Sequence, residues 1–167
     1  KILLKIPNSI IWISDMQEKA KRNLLNYFNK LGVSSDKICF AQRMPNREDH
    51  LARHSCADLF LDTFSFNGHS TSIDALWGGL PVITLLGKSF SARVSASLLT
   101  TLNLKELIAH DYNQYEDIVI NLANEPNRLN DLKNKLKTSR QNNPLFDSKK
   151  YINDYETILK GIIRNLN

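Results

Sequence analysis

The sequence predicts an α/β fold, a Rossmann-like parallel sheet with helices on both faces. Short runs of Ile, Val, Leu and Phe recur along it, and patterns with apolar residues three and four apart separate them. The strand-like runs are apolar at successive positions, as strands covered on both sides must be. With 167 residues, 42% hydrophobic and 23% charged, the chain fits one globular domain over 1–167.

Strand-like runs fall at Ile10–Ser14, Lys37–Ala41, Leu59–Asp62, Val82–Leu85 and, more weakly, Glu106–Ala109. Before the first, the short apolar run from Lys1 ends in the turn-like Ile6-Pro7-Asn8-Ser9. The first helical pattern, Gln17 to Leu31, spaces Ala20, Leu24, Tyr27, Phe28 and Leu31 on one face, and Gly32 supplies a stop. A second runs from Asn46 to about Ala57. A third, Ser70 to Gly79, turns Ile73, Leu76 and Trp77 to the sheet and ends at Gly78-Gly79. The fourth, Ser91 to Leu102, carries Val94, Leu98, Leu99 and Leu102 on one side.

After Ala109 the composition turns polar. Helices are expected at Tyr112–Asn124 and Asn127–Arg140, parted by Glu125-Pro126, and at about Lys149–Leu166. The last has a wide apolar band: Tyr151, Ile152, Tyr155, Ile158, Leu159, Ile162 and Ile163. Such a band is expected to pack on a further part of the protein.

The bulk chemistry excludes several classes. The net charge of +5 is spread along the chain, with no Lys/Arg stripe interleaved with aromatics, so no nucleic-acid partner is expected. No apolar stretch approaches the ~18 residues of a membrane span. Cys39 and Cys56 lack metal-ligand spacing and read as reduced, half-buried cysteines of a cytoplasmic protein. No metal cluster, Gly-rich phosphate fingerprint or Ser-His-Asp order is present, and no catalytic acid or base can be nominated.

Ligands of open parallel sheets bind beyond the carboxyl ends of the strands, where loops and helix N-termini gather. The stretch "FNGHSTSIDALWGGLP", Phe66 to Pro81, lies at such a mouth. Asn67-Gly68 allows a left-handed-tolerant turn and close backbone approach to a ligand. Ser70 or Thr71 can cap the helix, with Thr71 and Asp74 in capping-box spacing. The helix N-terminus attracts anions, His69 adds a donor that can be charged, and Asp74 can accept from hydroxyl groups. Phosphate followed by a ribose carboxylate is the order a nucleotide presents, although the same residues are ordinary helix-start chemistry.

A second mouth, "QRMPNREDHLARH", follows the strand ending at Ala41. Pro45 sets the turn and Asn46 is a plausible N-cap. Arg47, His50 and Arg53, three apart, fall on one side of the helix and offer flat donors to a base and positive charge to phosphate. The competing expectation is that these Arg residues pair with Glu48, Asp49 or Asp58 on a wet surface. His54 and His110 attract no partners in sequence.

From Cys56 to Ala109 the chain reads "CADLFLDTFSFNGHSTSIDALWGGLPVITLLGKSFSARVSASLLTTLNLKELIA", with "PLFD" at Pro144 to Asp147. It resembles the C-terminal half of the catalytic region of O-GlcNAc transferases, the family that includes SPINDLY-type proteins. That resemblance implies half of a GT-B glycosyltransferase, whose two Rossmann-like halves face each other across a cleft and whose C-terminal half holds a UDP-sugar. It implies that His69, Ser70 and Thr71, after Gly68, contact the diphosphate and that Asp74 contacts the ribose. It further implies that His50 and Arg53 line the uridine and phosphate region, with Arg47 where animal members place a lysine. The backbone near Pro45 would meet the uracil edge.

Ser70 departs from the family's His-Thr-Thr but keeps the hydroxyl. The family's donor-site glutamine and phosphate-binding lysine lie upstream of "KILLKIPNSIIW". A domain lacking its first strand and loop is therefore expected, able to bind a donor but not to transfer alone. Protein acceptors would be held by an N-terminal half and tetratricopeptide repeats. The implied activity is inverting, metal-independent transfer of GlcNAc from UDP-GlcNAc to Ser or Thr of proteins, with no cofactor. The alternatives are another donor such as GDP-fucose, or a non-catalytic nucleotide-responsive interaction module.

Overall fold

A computed structural model describes residues 1–166. A short helix, α1 (Ile2–Lys5), leads to strand β1 (Ile11–Ser14), helix α2 (Glu18–Lys30) and β2 (Ile38–Ala41). Then come α3 (Arg47–Ala52), β3 (Phe60–Leu61), α4 (Ser70–Trp77), β4 (Val82–Leu85), α5 (Val94–Thr101) and β5 (Ile108–Ala109). Three helices follow: α6 (Tyr112–Asn124), α7 (Pro126–Asn142) and α8 (Ser148–Leu166). No helix among the described residues is long and apolar enough to cross a membrane.

Every strand pairing is parallel, as expected from apolar strands alternating with helices. The strands form two ladders rather than one. Ile11 opposes Ile38 in β1–β2, while the order β3-β4-β5 sets Phe60 against Val82 and Thr84 against Ile108. β1, β2, β3 and β5 therefore each have one edge without a strand partner among the described residues.

Packing is divided in the same way. The large core joins β3, β4 and β5 to α4, α5, α6 and α7 through Leu76, Ile83, Leu99, Leu107, Leu122 and Leu136, all essentially inaccessible. Each such side chain contributes about 1.5–3 kcal/mol by leaving water. The small core is Leu3, Val33 and Ile38, flanked by Ile11, Ile13, Leu25, Phe28 and Phe40. Helix α2 has no fully buried residue, and Tyr27 and Leu31 of its apolar face are exposed.

Several expectations need correction. The second helical pattern stops at Ala52 and tightens into a single 3-10 turn over Arg53–Cys56, which carries the chain sharply into β3. Of the residues expected to face the sheet from α4, only Leu76 does. Its buried neighbours are Ser72 and Ala75, while Ile73 and Trp77 are exposed. The Trp77 ring lies 5.2 Å edge-on from Phe146, with the Arg140 guanidinium 5.6 Å from its centre. Cys39 and Cys56 are exposed rather than half-buried. Helix α8 begins beyond a turn at Pro144–Phe146, and its seven apolar residues from Tyr151 to Ile163 remain between 41% and 66% exposed.

Candidate functional site

Strand β3 ends at Leu61, and the next residue, Asp62, organises the loop leading to α4. Asp62 is 3% exposed. Its Oδ1 accepts from the Thr63 and Gly68 amides at 3.0 and 2.7 Å, and its Oδ2 accepts from Thr84 Oγ1 at 2.7 Å. A carboxylate among three donors ties this loop to β4. Asn67, 1% exposed, completes the brace: Nδ2 donates to the Thr63 carbonyl at 2.8 Å, and Oδ1 accepts the Ser95 amide at 3.2 Å. Ser95 Oγ in turn donates to Ser72 Oγ at 2.9 Å.

The Tyr115 hydroxyl donates to the Asp62 carbonyl at 3.2 Å. Burial, with the Asp62 charge adding to it, pushes that hydroxyl well above the usual tyrosine range, so it remains a neutral donor.

Sequence reasoning missed this brace. In the sequence Asp62 reads only as the last residue of a strand, and Asn67 as a turn former. A carboxylate closing an apolar run, six residues before a glycine amide, was the available signal.

The helix start differs from expectation. His69 is the N-cap of α4, with φ 41° and ψ −109°, and it makes no side-chain capping bond. Thr71 Oγ1 instead donates to the Gly68 carbonyl, and no capping box joins Thr71 to Asp74. The left-handed residue is thus His69 and not Gly68. Gly68 is required for another reason: a Cβ there would lie 2.5 Å from Ser72 Oγ and 2.8 Å from Thr71 Oγ1. Its bareness lets the chain press onto the first turn of α4.

The amides of Thr71 and Ser72 turn inward to the Gly68 carbonyl, at 2.7 and 3.4 Å. Those of His69 and Ser70 have no partner among the described residues. Two free N–H groups, the positive end of α4 and the hydroxyl of Ser70 make an anion-attracting corner.

Around it stand exposed aromatics and cations. Phe66 stacks on the His69 ring, centroids 4.6 Å apart and planes 7° from parallel. The Phe90 ring approaches that imidazole edge-on at 6.2 Å. His69 Nε2 lies 3.3 Å from the Ser91 carbonyl, on the loop after β4 that also carries Lys88 and Arg93.

The second mouth divides its trio. Arg47 Nη2 donates to Asp74 Oδ1 at 3.3 Å, and His50 Nε2 lies 3.6 Å from Asp74 Oδ2. Arg53, beyond the end of α3, donates instead to the Gln42 carbonyl at 2.9 Å and holds the loop containing Pro45. Asp58, one expected partner of these arginines, pairs with Lys133 at 2.9 Å. Asn46 is the N-cap of α3, but its side-chain amide donates to Asp49 Oδ2 at 3.2 Å instead of capping the backbone.

His54 packs edge-on against His50 with centroids 5.1 Å apart, and its Cβ lies 2.7 Å from where a Cβ on Gly78 would sit. Gly78 therefore lets the 3-10 turn after α3 pack closely on the end of α4. Burial lowers the His54 pKa, so a neutral ring fills this joint.

Both mouths lie at carboxyl ends of parallel strands, and the Arg47–Asp74 pair links them across 27 residues of sequence. The sequence from residue 1 to 155 matches the family model described as glycosyl transferase family 41. The chain belongs to this family.

Among family 41 relatives, a Caenorhabditis elegans UDP-N-acetylglucosamine--peptide N-acetylglucosaminyltransferase is 33% identical over 95% of this chain. A probable enzyme of the same name, SEC, from Arabidopsis thaliana is 33% identical over 93% of it. The chain spans 14% and 16% of those two proteins. A solved point mutant of the Thermobaculum terrenum O-GlcNAc transferase superposes with a TM-score of 0.86 at 28% identity, covering 98% of this chain and 31% of that one. The α/β architecture is thus that of the O-GlcNAc transferase fold, as the resemblance implied.

Proposed function

We propose that this domain binds the nucleotide-sugar donor of a UDP-GlcNAc:protein O-linked N-acetylglucosaminyltransferase. The observation that carries the reading is the pair of free amides at His69 and Ser70, set where α4 begins and one turn from Asp74. In this reading the two amides, Ser70, Thr71 and His69 take the diphosphate, and Asp74 takes the ribose hydroxyls. Arg47, His50, Arg53 and the backbone near Pro45 surround the base. The Asp74 carboxylate is already oriented by Arg47 and His50, which suits an acceptor that must be aimed before ligand arrives.

The chemistry is an inverting displacement. A Ser or Thr hydroxyl of a protein acceptor forms a bond to the anomeric carbon and releases its proton to solvent or to the departing diphosphate, while the bond from that carbon to the UDP oxygen breaks. The electron pair leaves on the diphosphate. N–H donors and cations already in place around that oxygen stabilise the developing charge and serve where other transferases use a divalent ion. The acceptor protein is held by other parts of the molecule, in keeping with the small share of its relatives' length that this chain spans.

Calorimetric titration of the full-length protein with UDP, UMP and GDP tests the assignment. UDP should bind more tightly than either competitor, and Asp74→Asn should weaken it about tenfold through loss of a charged acceptor. Absence of UDP binding at about 1 mM would remove the donor-site reading. Tighter binding of GDP would move the donor to a guanine nucleotide.

We also propose that α8 packs on another region of the same protein and that a further strand lies against the open edges of β1 and β3. Supporting this are the exposed apolar face from Tyr151 to Ile163 and the unpaired strand edges. Hydrogen exchange should find α8 weakly protected in this domain alone and strongly protected in the full-length protein. Equal protection in both would sink the packing proposal.

A further inference from the structure

We infer that Phe66 is a positioning residue for His69. Its ring and the Ser91 carbonyl fix the imidazole in one orientation and one tautomer, so that binding a diphosphate takes up a proton. The inference rests on the donor-binding reading above and adds the protonation chemistry of that site.

The argument begins with an acceptor that has no proton to give. The Ser91 carbonyl oxygen can only accept, so the contact at 3.3 Å commits the His69 Nε2 to carrying hydrogen. In a neutral ring the other nitrogen, Nδ1, then holds only a lone pair. Among the described residues Nδ1 has no hydrogen-bond partner. A phosphate oxygen brought to it would set lone pair against lone pair, which repels. Once Nδ1 is protonated, both ring nitrogens are satisfied: Nε2–H by Ser91 and Nδ1–H by phosphate.

Two features keep the ring from evading that outcome. The parallel stack on Phe66 holds the ring plane, and the Ser91 contact distinguishes the two flips about the Cβ–Cγ bond. The backbone adds a third constraint, because φ 41° with ψ −109° at a non-glycine residue fixes where Cβ emerges.

Phe66 is 64% exposed and outside the core, so packing does not explain a phenylalanine here. Its face lies flat against the imidazole, 4.6 Å between centroids, and holds the plane of that ring. The charged groups on the surrounding elements are Asp62 at the end of β3, Asp74 on α4, and Lys88 and Arg93 on the loop after β4. The proton comes from solvent, moves to Nδ1 and is shared with a phosphate oxygen; no other bond changes.

The test is calorimetry of UDP binding to the full-length protein near pH 8, in two buffers of different ionisation enthalpy. At about that pH the terminal phosphate of UDP is fully ionised, so proton uptake reports on the protein. Wild type should take up a fraction of a proton and lose affinity as pH rises from about 7.5 to about 8.5, where UDP itself no longer titrates. His69→Gln, which donates without titrating, should abolish the uptake and flatten the profile. Phe66→Leu should weaken UDP about tenfold near pH 6 and reduce the uptake, while Phe66→Tyr should restore both.

UDP binding by wild type without proton uptake overturns this inference and leaves the donor site standing. So does a Phe66→Leu protein with the wild-type profile, or a Phe66→Tyr protein as impaired as the leucine variant. Failure of wild type to bind UDP at any pH removes both readings together.

Discussion

Asp62→Ala is expected to cost the domain about 3 kcal/mol or more and to abolish measurable UDP binding at the same time. Three donors converge on this carboxylate: the amides of Thr63 and Gly68, and the hydroxyl of Thr84. Thr84 is inaccessible and Asp62 is 3% exposed, so water cannot replace the lost acceptor without opening the structure. Each donor left unsatisfied costs about 1–3 kcal/mol. The loop those bonds hold is the one that presents the His69 and Ser70 amides.

Asp62→Asn separates shape from charge. Its Oδ1 can still accept both amides, and the Thr84 hydroxyl can turn to accept from Nδ2. A loss of about 1–2 kcal/mol, with binding weakened but present, is therefore expected. Urea denaturation and UDP calorimetry on the same samples provide the measurement. If Asp62→Ala lies within about 0.5 kcal/mol of wild type, the carboxylate does not brace the loop.

The second large effect is a reversal at His69. At most positions Ala is more stable than Gly by about 0.5–1 kcal/mol, because glycine loses more backbone freedom on folding. At φ 41° and ψ −109° a Cβ is strained, so His69→Gly should be more stable than His69→Ala by about 1–2 kcal/mol. Both variants lose the Phe66 stack and the Ser91 contact, so their difference isolates the backbone.

If the donor-site proposal holds, both should also lose UDP affinity by about tenfold or more, because each removes the imidazole as a hydrogen-bond donor. Thermal unfolding read beside calorimetry decides it. If His69→Ala proves as stable as His69→Gly, the left-handed conformation stores no strain, and the site has not given up stability to hold an imidazole there.

The side-chain chemistry of the two mouths is legible in the sequence because it is local. Asn-Gly-His-Ser-Thr followed by Asp74 announces a helix start with anion-binding groups, and Arg47, His50 and Arg53 announce a cationic turn, whatever lies around them. What was read less well within them followed from the same localness. Hydroxyls are the usual N-caps, so the local pattern points to Ser70 or Thr71, whereas the brace from Asp62 to the Gly68 amide draws the chain tight and His69 takes the cap position. The spacing of Arg47, His50 and Arg53 describes one face of a continuous helix. The 3-10 turn from Arg53 rotates that arginine toward Gln42 instead.

The sequence by itself determined the alternation of apolar strands and helices, and with it a parallel sheet with polar, helix-starting loops at the carboxyl ends of its strands. It also determined which side chains stand in those loops. These properties follow from the spacing of apolar residues and from the donors each side chain carries, and both are intrinsic to the chain. Tertiary structure alone decided how the strands divide into two ladders, and that Asp74 meets Arg47 and His50 from another helix. It likewise decided that a buried carboxylate 22 residues before Thr84 fixes the loop, and that Phe66 lies flat on His69. Such contacts depend on where distant segments come to rest when the core closes, which no local pattern encodes.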